Sequence, residues 1–479
     1  MGLTQSIAKN TALQVIGKII GTILGVITIG ILTRYLGQTG FGHYSTALAF
    51  MQFFGILVDM GLYLICLKEI SSVTPEKENH ILSNIFTLRI ISAIIFLGSG
   101  VLLIFLFPYE PMVKWSAAIV SISFLFAALV QILTSVFQKY LRMGLVALAE
   151  VIGRIGFLLI ILLFIFQKIN LPLLMLGNIV NTLLYFIILW FLVKKFVVIK
   201  FAFDFTYWKE ILTKTWPIAL GIAFNLVYFR ADTIILSLYH PAADVGLYGA
   251  PYKILEIIAT FPHMFMGLVT PILTAAWLVA DKKHFKKSMQ RTFDFFVLLA
   301  IPMVLGSIPL ADRIMRILAG NEFKEAGAIL PILMLATGFI FVGTLFTYTL
   351  VILEKQKPML KFYLSAAILA LIGYFIFIPK YSYFGAAWVT VFIEAFIAIS
   401  AFFLTYNLTK IKLNLINTSK SLLASLIMLA FTWIFINWPM ELIIPVDIII
   451  FFILVFIMKG FDTEVIYWLK HRKDKNMVN

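Results

Sequence analysis

The chain has 479 residues, 62% of them hydrophobic and 13% charged, whereas a soluble globular chain carries about 25% charged residues. A water-soluble fold is excluded, and the net charge of +15 has to be read against a membrane pattern. The one cysteine, Cys66, cannot form an intrachain disulfide, and no Cys/His cluster has metal-ligand spacing.

Crossing a bilayer takes about 20 consecutive apolar residues. Such runs recur along the whole chain, and they are continuous rather than alternating, so the spans are helices and not barrel strands. The first predicted helix, 11–36, carries Lys18 and ends at Arg34 beside a glycine turn. It is too long for a signal-peptide core and lacks a small-x-small cleavage site, so it is expected to remain as a spanning segment. Then come 41–67 with Asp59, 81–107 with Arg89, 112–138, 143–166 with Glu150 and Arg154, and 171–193. After a basic loop follow 211–239 with Arg230 and Asp232, 245–279 with Lys253 and Glu256, 288–318 and 328–353. The last four are 358–378, 384–408 with Glu394, 418–438 and 441–458, making fourteen, followed by the basic tail Lys470-His471-Arg472-Lys473.

With the N-terminus inside, the inner loops and tails hold 26 basic residues and the outer ones seven. The positive-inside rule therefore predicts a multi-pass plasma- or inner-membrane protein with both termini cytoplasmic. Basic residues spread over inner loops face anionic lipid headgroups, which disfavours nucleic acid as a partner.

An internal echo appears at a constant offset of 204. Ile31, Leu32, Tyr35, Gly42 and Tyr44 match Ile235, Leu236, Tyr239, Gly246 and Tyr248, where a repeat of six spans would begin again. An even number of spans per repeat leaves both halves in the same orientation, related by an axis along the membrane normal. The expected architecture is all-α and polytopic, with an N-terminal six-helix lobe at 1–200 and a C-terminal one at 201–410. Residues 411–479 then add two extra helices and the cytoplasmic tail.

Charges within spans are costly and mostly kept where they line a cavity. Glu150 and Arg154, four apart, can neutralise each other on one helix face, as can Lys253 and Glu256. Arg230 and Asp232 point to different sides of their helix and need other partners. Lys18 and Arg89 have no acid within a turn; either could also snorkel to the headgroups. Pro217, Pro251, Pro262, Pro271, Pro302, Pro309 and Pro331 gather in spans 7 to 10, so the second half should be the more bent and deformable one.

Several motifs carry a family resemblance. The run Arg34-Tyr35-Leu36-Gly37, Phe41-Gly42-His43-Tyr44 and Asp59-Met60-Gly61 resembles the first hairpin of the polysaccharide (O-antigen or repeat-unit) flippases of the multidrug/oligosaccharidyl-lipid/polysaccharide exporter superfamily. Trp216-Pro217, Asp232-Thr233-Ile234-Ile235-Leu236, Val245-Gly246-Leu247-Tyr248 and the pair Pro262 and Pro271 are similar to that family's helices 7 and 8. The resemblance implies a V-shaped pair of lobes opening alternately to the two sides and carrying a polyprenyl-pyrophosphate-linked glycan outward, for cell-surface polysaccharide biosynthesis.

On that reading Lys18, Arg89, Arg154, Arg230 and Lys253 are candidates to meet the pyrophosphate, which requires cationic donors shielded from bulk water. Asp59, Asp232, Glu256 and Glu394 are candidates for a coupling Na⁺ or H⁺, since buried carboxylates change protonation readily; structural neutralisation of a nearby cation is an equal alternative. No cofactor is expected, and a polysaccharide polymerase and glycosyltransferases are the expected neighbours in the membrane. Three other functions stay open: a cation-coupled exporter of amphipathic drugs, whose cavity should be acidic or aromatic; a membrane glycan polymerase or ligase; and a noncatalytic assembly scaffold, which would leave the intramembrane charges unexplained. The outer loops are short, leaving an enzyme little room for a catalytic patch, so a non-enzymatic transporter is expected.

Overall fold

The computed structural model describes residues 3–460, and among them only helices and connecting segments occur. The helices are α1 (Leu3–Asp59), α2 (Leu62–Ser71), α3 (Pro75–Leu106), α4 (Pro111–Lys139), α5 (Met143–Phe166), α6 (Leu171–Leu174), α7 (Leu176–Val193), α8 (Phe205–Tyr239), α9 (Ala242–Leu278), α10 (Lys282–Ala319), α11 (Leu330–Ile352), α12 (Met359–Thr409), α13 (Ile416–Ile434) and α14 (Met440–Ile457), with a 3₁₀ segment at Asn321–Ala328. Eleven stretches are long and apolar enough to cross a membrane. Two of them, within α1 and α12, contain non-helical residues that divide each into two spans: Gly37 (φ 64°) and Ser382 (φ 48°). With α13 this gives the fourteen expected crossings.

The differences from the expected spans have local causes. Span 2 stops at Asp59 because Met60 (φ 44°) and Gly61 (φ 75°) both turn left-handed before α2 resumes; glycine makes the second of these turns at no steric cost. α8 and α10 begin several residues ahead of their apolar runs, since a helix continues into polar surroundings as long as its backbone bonds close. Pro251, Pro262 and Pro271 lie inside α9, and Pro302 and Pro309 inside α10, without ending either helix. The basic run 470–473 lies outside the described residues.

Two compact units divide the chain. The first takes the described chain up to Ala250 with Leu318–Glu322 and Ala370–Ala386; the second takes Pro251–Ile317, Phe323–Leu369 and the described chain from Ala387 onward. In the first unit, Leu82, Ile85, Leu133, Phe137 and Leu189 build a core across α3, α4 and α7, while large apolar residues such as Leu106 and Phe166 point outward, as expected where the solvent is lipid. Gly17 faces Ala147 across α1 and α5, where a Cβ on the glycine would fall 2.7 Å from the alanine Cβ. This is the small-residue packing by which membrane helices approach closely.

At one end of this unit the fully buried Glu78 accepts bonds from Lys139 Nζ (2.6 Å) and Tyr140 Oη (2.9 Å), joining the start of α3 to the end of α4. Burial and the Glu78 carboxylate both push the Tyr140 phenol up, keeping it a donor. The connection from α7 to α8 runs extended along α3. Its N–H groups at Val198, Lys200, Ala202 and Asp204 donate to the side chains of Asn79 (2.8 Å), Ser83 (3.0 Å), Thr87 (3.1 Å) and Asn84 (2.9 Å).

In the second unit Ala424, Met428, Phe451 and Val455 pack α13 against α14. Phe261, Phe265, Phe295, Phe296 and Phe341 form an aromatic cluster among α9, α10 and α11.

A candidate substrate cavity in the first unit

The break after α1 leaves Asp59 at a helix C-terminus, where the dipole and an unpaired carbonyl both disfavour a carboxylate unless a cation is present. Arg89 of α3 supplies one. Its Nη1 lies 2.8 Å from Asp59 Oδ1 and donates to the Val58 carbonyl (2.9 Å); Nε donates to the Ala128 carbonyl (3.2 Å) and Nη2 to Gln131 Oε1. The side chain is fully buried, so each guanidinium nitrogen is committed to protein. A role for Arg89 as a direct donor to a phosphate therefore gives way, in this conformation, to a structural one. Its acid sits thirty residues back in the chain, beyond the reach of a search within one turn.

A second charge cluster stands nearby. Arg154 Nε and Nη2 donate to Glu150 Oε1 at 3.1 and 2.8 Å, the expected pair along one face of α5. Lys18 Nζ of α1 approaches the same oxygen at 3.6 Å. Two cations share one carboxylate, leaving one positive charge in excess. The guanidinium fits against α1 because Gly21 and Gly25 present no side chain there: a Cβ would fall 3.1 Å from Arg154 Nε at Gly21 and 2.9 Å from Nη1 at Gly25.

Asp59, Glu150 and Arg154 line a cavity of about 450 Å³ walled by α1, α2, α4, α5 and α7, within the size range of small-molecule sites. Neutral polar side chains complete it: Tyr63, Gln131, Thr134, Asn181, Thr182 and Tyr185, with Ala127 and Val130 the apolar members. The charge pattern of the sequence does not point to the neutral ones. An Asn or Gln in the middle of an apolar span is the signal that marks them.

The other candidates lie elsewhere. Asp232 on α8 is fully buried, accepting from Tyr248 Oη (2.6 Å) and from the Thr233 N–H (2.5 Å) and Oγ1 (3.2 Å), with Arg230 two residues away and half-buried. Its requirement for a partner off its own helix is met by Tyr248 of α9. In the second unit Lys253 and Glu256 pair at 2.8 Å, and Glu394 is buried on α12. Lys18 and Arg154 share Glu150, which lines one cavity with the Asp59 that pairs with Arg89, whereas Lys253 belongs to the second unit.

The second unit has a cavity of its own, about 430 Å³ and apolar, lined from α9, α10, α11, α13 and α14. Its carboxylate is Asp447, whose Oδ2 accepts from Thr432 (2.9 Å).

The model of the polysaccharide biosynthesis protein family matches residues 7–278, and that of the MatE family residues 217–376. The chain is 23% identical over 406 residues to the capsular polysaccharide biosynthesis protein CapF of Staphylococcus aureus, covering 83% of this chain and 99% of that one. It is 21% identical over 405 residues to a putative O-antigen transporter of Shigella flexneri, covering 80% and 93%. Among solved structures it resembles the lipid II flippase MurJ in an inward closed conformation, with TM-score 0.76 and 17% identity over 96% of this chain and 99% of that one. An inward-facing multidrug transporter of the MATE family follows at TM-score 0.59 and 13% identity, over 82% and 94%.

Proposed function

We infer that this chain, which belongs to the polysaccharide biosynthesis protein family of the multidrug/oligosaccharidyl-lipid/polysaccharide exporter superfamily, moves polyprenyl-pyrophosphate-linked oligosaccharide units from the inner to the outer leaflet by alternating access. The observation that carries the reading is the charged, hydrogen-bonding cavity of the first unit, walled by helices that are otherwise apolar enough to span a membrane. Charged groups within membrane spans are kept mostly where they line a cavity or pathway.

Arg154 in the lining of that cavity, and Lys18 beside it on the shared Glu150, are the groups that meet the pyrophosphate. They share Glu150, so an arriving phosphate finds one cation not fully neutralised, and Arg154 can exchange one carboxylate partner for another anion in the same fork geometry. Arg89 holds the end of α1 in place. Asp232 and Glu394, buried within spans, are the carboxylates best placed for a coupling Na⁺ or H⁺, and both termini are taken as cytoplasmic from the charge distribution. The apolar cavity of the second unit is chemically suited to a hydrocarbon chain.

The multidrug reading draws less support, since the likeness to the lipid flippase is both higher and more complete than that to the drug transporter. A transporter's turnover, without chemical change to the glycan, is the expected activity. The test uses proteoliposomes carrying a fluorescent polyprenyl-pyrophosphate oligosaccharide, with transbilayer movement followed under Na⁺, proton and potential gradients. Movement above protein-free vesicles supports the reading; none under any gradient overturns it.

A further inference from the structure

We propose that the cavity of the first unit is a sugar-binding subsite that reads the glycan nearest the pyrophosphate, with Asn181 as its principal specificity-determining residue. The inference rests on the flippase reading and assigns the headgroup's parts to particular walls of the cavity.

The first argument is charge. Asp59 is matched by Arg89 at 2.8 Å and Glu150 by Arg154 at 2.8 Å, so the interior is close to neutral and the one excess cation is Lys18, which does not line the cavity. A diphosphate carries at least two negative charges and would be held at the Lys18 and Arg154 edge, where its charge is answered. The remaining volume calls for a neutral but strongly hydrogen-bonding ligand, which a polyhydroxylated ring is and a lipophilic drug cation is not.

The second argument is hydrogen-bonding capacity. Gln131 accepts from Arg89 through Oε1, which fixes the amide and turns Nε2 outward as a donor. Asp59 and Glu150 are bonded to cations through one oxygen each, and the second oxygen of a carboxylate remains an acceptor. The partly exposed Asn181 lines the cavity and makes no hydrogen bond among the described residues, so both ends of its amide can serve a ligand there. It is also held in position: a Cβ on Gly153 would fall 2.9 Å from Asn181 Oδ1 and 2.6 Å from its carbonyl oxygen, so α5 leaves space for this side chain only by having glycine there. Amides and carboxylates that donate and accept side by side match vicinal hydroxyl or acetamido groups, and Tyr63 and Tyr185 add ring faces against which the apolar side of a sugar packs.

Sites built to bond a substrate's polar groups discriminate strongly against analogues lacking them. The test therefore compares, in the same proteoliposomes, fluorescent polyprenyl pyrophosphates bearing one neutral N-acetylhexosamine and bearing none. Wild type should move the sugar-bearing lipid at least about tenfold faster, and Asn181→Leu, which fills the cavity and removes the amide, should bring the two rates together by slowing only the sugar-bearing one. Thr182→Val, near-isosteric, should narrow the difference partway, so that a folding failure of Asn181→Leu does not remove the test. Equal movement of both lipids by wild type, or an unchanged ratio in folded Asn181→Leu, overturns the subsite and leaves the flippase reading standing. Movement of neither lipid by wild type overturns both.

Discussion

Gly42 and Gly246 lie back to back. A Cβ on Gly42 would fall 1.7 Å from the carbonyl oxygen of Ala242, and one on Gly246 would fall 2.0 Å from the carbonyl oxygen of Gln38. The four residues form two pairs at the same offset of 204 that relates the two halves of the sequence. The contact is thus reciprocal, as in an isologous interface, where residue i meets j and j meets i. Gly249 repeats the pattern, since a Cβ there would fall 2.7 Å from Oγ of Ser45, its counterpart in the repeat. The two copies of the motif therefore pack on each other through matching positions.

Gly42→Ala and Gly246→Ala should each lower the melting temperature in detergent markedly, because a methyl group is driven into backbone that cannot yield as a side chain would. The cost is expected at or above the usual 1–3 kcal/mol of overpacking. Gly98→Ala, where nothing lies within 4 Å of the added Cβ, should leave melting unchanged. A Gly42→Ala protein as stable as wild type would contradict the close approach.

Arg89→Leu should destabilise by about 3–5 kcal/mol, since it leaves Asp59 and the end of α1 without their cation. Arg89→Leu combined with Asp59→Asn should recover a good part of that loss. Thermal unfolding of the single and double variants gives the coupling directly; additive losses would mean that the two side chains do not depend on each other.

Lys18→Ala and Arg154→Ala should act on transport more than on folding, each slowing movement of the pyrophosphate lipid about fivefold or more per folded molecule. Arg89 variants should instead lose folded yield and retain most of the rate per folded molecule. Measuring both quantities on the same preparations separates the two roles, and a rate loss in Arg89 variants as large as in Arg154→Ala would merge them.

Asn79→Ala with Ser83→Ala should free the start of the α7–α8 connection, whose N–H groups at Val198 and Lys200 would turn to water. Global melting should shift by no more than about 1–2 kcal/mol, while hydrogen exchange and proteolysis at 197–204 rise several-fold. Unchanged exchange there would show that the connection is held by something other than these side chains.

The spans were legible in the sequence because their signal is continuous and local. Gly37, flanked by Leu36 and Gln38, announced the first turn, and the Glu150 and Arg154 pair was readable because both partners share one helix face. Asp59 and Arg89 were each recognised as costly charges, but their partnership crosses thirty residues and two helices, where spacing carries no information. The reciprocal glycines were visible as a matched motif, without any sign that the two copies touch. Asn181 and Gln131 stand out little in the sequence because a single neutral amide barely changes the hydropathy of an apolar run.

The connection between α7 and α8 is bonded to α3 at every second residue from Val198 to Asp204. An extended chain secured at intervals of two residues has almost no slack to lend. Any displacement of α8 relative to α3 must either carry the strip along or unfasten it from the Asp204 end, one bond after another. Such a connection is a tether whose free length depends on how many of these bonds remain made.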